Sequence, residues 1–89
     1  MEFDWDDLKN ITNKQKHGID FNDAKEVFKH QDSKIAADMR KDYKEDRWKI
    51  IGKIHGSIIS VIYTVRNNVT WIIWARKASI KEREEYNNR

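Results

Sequence analysis

Three apolar segments in the second half of the chain constrain its fold more than any other feature. "RWKIIGKI" (47–54), "SIISVIYTV" (57–65) and "VTWIIWA" (69–75) are rich in β-branched and aromatic residues, the types that suit a pleated surface. Between the first two stand His55 and Gly56, where the glycine supplies the positive φ of a tight turn. Asn67 and Asn68 serve the next turn, because asparagine tolerates the left-handed region. An antiparallel meander follows. Its first strand alternates, with Trp48, Ile50 and Ile54 on one face and Arg47, Lys49 and Lys53 on the other. The second is apolar on both faces and belongs in the centre. "SKIAADM" (33–39) adds an edge strand, so the sheet is expected to have three or four strands.

Helices flank the meander. After a short strand at 2–4, "DWDDLKNITNKQKHGI" reads as a helix capped by Asp4 with Asp7 three residues on. Trp5, Leu8 and Ile11 recur at helical spacing and form its apolar stripe. Gly18 takes the left-handed position after its last turn, and Ile19 folds back on it. A second helix starts at Asp20, carries Phe21, Ala24, Val27 and Phe28 on one stripe, and ends near His30. Ser79-Ile80-Lys81-Glu82 is a capping box that opens a third helix to about Asn87. The predicted class is α+β, one domain spanning residues 1–89.

Composition narrows the function. The chain has 89 residues and a formal net charge of +3, and it has no cysteine, which excludes disulfides and thiolate metal sites. A cytoplasmic setting is expected. The N-terminus "MEFDWDDLKN" lacks the apolar core of a secretion signal, and the run Ile58–Val65 is too short to span a bilayer. Residues 1–43 hold eight Lys/Arg and ten Asp/Glu, a balance of −2; residues 44–89 hold ten and five, a balance of +5. A basic second half suits a polyanion, or simply a well-solvated surface.

Few residues carry chemistry by spacing alone. His17, His30 and His55 stand too far apart for a zinc set, and three glycines make no phosphate loop. His17 and His55 each precede a glycine and can be plain turn residues. Arg47, Lys49 and Lys53 can track phosphates, or form the wet face of an antiparallel sheet. Tyr43, Tyr63, Trp71 and Trp74 can stack on unpaired bases, or fill a core. Arg76 and Lys77 end the last strand; they can hold a phosphate, or tie the strand to a helix carboxylate such as Glu82.

Three blocks of sequence resemble the BrnT family, the toxin half of a bacterial type II toxin–antitoxin pair. "WDDLKNITNKQKHGIDFNDAKEVF" is similar through Trp5, Asp6, Lys9, Asn13, Lys16, His17, Gly18, Phe21 and Ala24. "DMRKDYKEDRWKIIG" is similar through Asp38, Arg40, Tyr43, Glu45, Arg47, Trp48 and Gly52. "YTVRNNVTWIIWARKASIKEREEY" is similar through Tyr63, Thr64, Arg66, Ile72, Ile73, Arg76, Lys77 and Glu82 among others. The resemblance implies a RelE-like fold with two N-terminal helices, a three- to four-stranded antiparallel sheet and a C-terminal helix. It also implies a metal-independent endoribonuclease with no cofactor. The implied partners are RNA and a BrnA-like ribbon-helix-helix antitoxin, through which the pair reaches its operator DNA. This chain departs from the family pattern at Trp71, where an arginine is common, and at Trp74, where a serine is common.

RNA supplies its own nucleophile, the 2′-hydroxyl, so an enzyme need only orient it, move its proton and offset phosphate charge. That logic favours Arg76, Arg47 and Lys49 as charge stabilisers and Tyr63, Glu45 or His17 as proton carriers. Lys53, Arg66, Trp74, Lys77 and Arg40 would bind the rest of the RNA. The alternative is a catalytically weakened protein that acts only through antitoxin binding and operon autoregulation. Strict alternation puts Trp71 in the helix-covered core and Trp74 on the face of the basic corner.

Overall fold

The computed structural model describes residues 1–38 and 44–88. Its strands are β1 (Glu2–Asp4), β2 (Lys34–Ala37), β3 (Trp48–Ile54), β4 (Ser57–Arg66) and β5 (Val69–Lys77). Its helices are α1 (Asp7–His17), α2 (Phe21–Ala24, continued as a 3₁₀ turn over Lys25–Lys29) and α3 (Ile80–Asn87). The α+β class and the meander are as expected. The sheet is larger and mixed: five strands in the order β1-β5-β4-β3-β2, with β1 parallel to β5 and the other pairs antiparallel. Glu2–Asp4 causes the change, because it extends the open edge of β5 instead of standing apart.

The turns take the geometry their residues favour. His55 and Gly56 both have positive φ, as do Asn67 and Asn68. Gly18 ends α1 at φ 72° and its N–H bonds Lys14 C=O. At Gly52 the reason for glycine is different: a Cβ there would overlap Ser33 Oγ and press on Val27. The absent side chain lets the 3₁₀ turn sit on β3. Phe21 and Ala24 of α2 and Val27 of the 3₁₀ turn are three apart and all fully buried. With Ile50, Ile59, Val61 and Ile72 they form the main core, each large side chain adding about 1.5–3 kcal/mol. Phe28 packs between Phe3 and Tyr63, tilted against the first ring and edge-on to the second. On the other side of the sheet, Tyr86 and Ala78 meet Ile51 and Ile58, so α3 covers one end of that face.

Helix α1 departs from its predicted cap and stripe. Asp6, not Asp4, caps it, accepting from the N–H groups of Leu8 and Lys9, while Asp4 lies in β1 and takes the Trp5 N–H. Trp5 packs on the core before the helix begins, but Leu8 is 75% and Ile11 55% exposed. The helix docks through an amide instead. The buried Asn13 side chain donates to Ala75 C=O at 2.8 Å and to Ile19 C=O at 3.0 Å, and accepts from Ala75 N–H at 3.0 Å. It does for the open edge of β5 what a neighbouring strand would do. Asn13→Ala should therefore lower stability by about 2–3 kcal/mol in urea melts. Asn13→Asp should be no better, since a carboxylate cannot donate to the two carbonyls. A wild-type midpoint for Asn13→Ala would show that packing alone holds the edge.

Candidate active site

The face of the sheet that carries α3 is built from three columns. Registers Lys49↔Ile62↔Trp74 and Ile51↔Ser60↔Arg76 define two rows across β3, β4 and β5, and Thr64↔Trp71 defines a third. The pairing slips between Ile62 and Tyr63, so Ile73 has no partner across the ladder. This bulge resets the alternation. Ile72 and Ala75, three apart, both enter the main core. Trp71 and Trp74, also three apart, both lie on the opposite face. The expectation of a core Trp71 is thereby corrected: Ile72 fills that place.

Each indole on this face meets a guanidinium. Arg66 Cζ lies 5.2 Å from the Trp71 ring centroid and Arg76 Cζ lies 5.1 Å from that of Trp74. Two carboxylates organise the cations. Glu82, buried, accepts from Arg76 Nη1 at 2.7 Å and Nη2 at 3.1 Å, pairs with Lys49 Nζ at 3.1 Å, and takes the Ser60 hydroxyl at 3.2 Å. It also closes the capping box with Ser79. Burial works against its charge, yet the donors of Ser79, Arg76 and Lys49 prevail and hold the carboxyl at about 2. Glu45 accepts from Arg66 Nε at 3.1 Å and Nη2 at 2.9 Å, and lies 3.7 Å from Arg47 Nε. The Arg66 bonds hold its carboxyl below the ordinary range. Around Glu82 two cations share one carboxylate, so that cluster keeps a formal charge of +1 among the described residues. Arg76 uses three of its five N–H groups on Glu82 and Lys77 C=O, leaving two for an outside acceptor.

Beside Arg76 the face opens into a cavity of about 580 Å³ between α1 and β5. Lys9, Lys16 and His17 line it from the helix, and Ile73, Trp74 and Arg76 from the strand. His17 thus joins Arg76, because the Asn13 anchor lays the last turns of α1 along β5. Sequence reasoning did not single out Lys9 and Lys16 as site residues; their spacing of seven puts them on one side of a helix, but only the docking of α1 shows which side.

The remaining candidates lie elsewhere. Tyr63 is on the opposite face, packed on Phe28, and burial raises its hydroxyl above the ordinary value. Lys53 shares a hollow with His30 and His55 at the far end of β3. Lys77 is exposed at the end of β5, near Gly18 and His55. Arg40 and Tyr43 lie outside the described residues. Among the described residues no three His, Asp or Glu side chains group as a metal set, and no helix is long and apolar enough to cross a membrane.

The sequence profile of a family described as "Ribonuclease toxin, BrnT, of type II toxin-antitoxin system" matches residues 5–82. The chain belongs to the BrnT family. No curated protein matches it. As a BrnT chain it is a ribonuclease toxin of a type II toxin–antitoxin system, and that class implies an antitoxin partner. The matched stretch runs from Trp5 to Glu82, so it includes His17, both tryptophans of β5, Arg76 and the carboxylate that holds it.

Proposed function

We propose that this BrnT chain is a metal-independent endoribonuclease whose reaction takes place in the groove between α1 and β5. The observation that carries the reading is that His17 and Arg76 line one cavity, with a cluster of net positive charge at its mouth. His17 accepts the 2′-hydroxyl proton. The 2′-oxygen then attacks the adjacent phosphorus and the bond to the 5′-oxygen breaks. The products are a 2′,3′-cyclic phosphate and a 5′-hydroxyl whose proton comes from solvent. Arg76 and Lys49 offset the charge on the phosphate oxygens, and Arg47 and Arg66 hold the strand further along the face. Tyr63 has no part in proton transfer here, and Glu45 is committed to its arginines.

In this reading a BrnA-like ribbon-helix-helix antitoxin neutralises the toxin in the cytoplasm and links it to operator DNA. The exposed Leu8 and Ile11 of α1 are apolar surface of the kind a protein partner covers. We also read the fold as RelE-like, with β1 added to the edge. A second reading keeps only antitoxin binding and operon autoregulation; the hold of Glu82 on Arg76 favours it. Incubation of the purified protein with RNA in EDTA separates the two. Cleavage should persist, yield cyclic phosphate ends, and fall by about 10²–10⁴-fold in His17→Ala. Activity that disappears with chelator and returns with a divalent ion would remove the proposed mechanism.

A further inference from the structure

The bulge at Ile73 has a consequence for substrate choice. It brings Trp71 and Trp74 onto one face of β5, each half-buried and each with an arginine against its ring. Their partners on β4, Thr64 and Ile62, are two residues apart. The two positions therefore stand about 7 Å apart along the strand, from a rise of about 3.4 Å per residue, and their side chains leave the same face. That is about twice the 3.4 Å step between stacked bases in a duplex. A duplex cannot place successive bases on both rings. An unstacked single strand can.

We propose that Trp71 and Trp74 form a two-base platform that selects single-stranded RNA, a reading that rests on the chain acting on RNA. Each indole stacks one base. Arg66 and Arg76 support the rings and direct their remaining donors to the phosphate between the bases. Trp74 borders the cavity that His17 and Arg76 share, so the base on Trp74 sets the phosphate beside the proton carrier. Stacking of this kind is tolerant of sequence, because every base has a π-face. The platform thus fixes strandedness and register, and leaves base identity open.

The test uses the whole chain and a labelled 2′-O-methyl RNA hexamer, which lacks the nucleophile and stays intact during titration. Anisotropy should show the single strand binding at least about tenfold tighter than the same hexamer within a duplex. Trp71→Ala and Trp74→Ala should each weaken single-strand binding by about tenfold, with the salt slope unchanged because no phosphate contact is lost. Trp→Phe at either position should stay near wild type, whereas Trp→Leu, which keeps apolar bulk without a ring, should behave like alanine. Equal affinity for single strand and duplex overturns the proposal. So does wild-type binding by the leucine variants, which would mark the rings as packing or as a protein interface. Cleavage of unmodified RNA is scored separately. If cleavage persists while these binding differences are absent, the platform fails and the ribonuclease reading stands.

Discussion

Arg76→Ala should reduce RNA cleavage by about 10²–10³-fold while lowering stability by only about 2 kcal/mol. The two effects separate because Arg76 has two sets of contacts. One set, the fork on Glu82, is structural; removing it leaves the carboxylate with Lys49, Ser60 and the Ser79 N–H, so no buried charge is orphaned. The other set is the two remaining N–H groups, on a residue that lines the cavity. Without Arg76 the Lys49–Glu82 pair is neutral, and the excess positive charge of that cluster is gone. Arg76→Lys keeps the charge but loses the planar fork, and should fall between. Cleavage rates and melting temperatures of both variants decide this. If the folded fraction of Arg76→Ala cleaves like wild type, Arg76 only ties the end of β5 to α3.

Much of this arrangement is legible in the residues. The pairs His55-Gly56 and Asn67-Asn68 announce their turns, and a two-residue turn also fixes register. It pairs Ile54 with Ser57, and counting back pairs Trp48 with Tyr63. Tyr63 must then share the face of Trp48 and Ile50, in the core, on the side of the sheet away from Arg76. The bulge at Ile73 is different. "VTWIIWA" has no glycine to mark a skipped residue, and period-two reading of one strand cannot reveal a slip against its neighbour. The docking of α1 is hidden for another reason. Its apolar positions suggest packing through Leu8 and Ile11, whereas the contact that holds it is a polar one at Asn13. Since His17 comes to line one cavity with Arg76 only through that docking, the residues are legible as parts but not as a site. The cations of β3 are readable, because alternation alone puts Lys49 and Lys53 on one face.

Glu82→Gln and Glu82→Ala should be the most destabilising changes on this face, and they should differ in a way that isolates the ionic contribution. The carboxyl is held at about 2, against 4.5 for a free glutamate. A depressed value means that the charged form stabilises the fold. The contribution is complete above about pH 4.5 and is lost as the pH falls through the folded-state value. Its size is about 3 kcal/mol, enough to move the melting temperature of a domain this small by more than about 10 °C. Glutamine at the third helical position can still accept the Ser79 N–H, so Glu82→Gln keeps the capping box and loses the ion pairs. Alanine loses both and should cost about 1 kcal/mol more. Urea midpoints at about pH 7 and about pH 3 test the sign: wild type should lose stability on acidification, and Glu82→Gln should lose less because this carboxylate no longer contributes. Equal losses in the two proteins would mean that the pairs with Arg76 and Lys49 contribute nothing net. The same substitution leaves those two cations facing each other without a shared anion. Their mutual repulsion should displace the fork, so cleavage should fall in Glu82→Gln even though Glu82 itself touches no RNA.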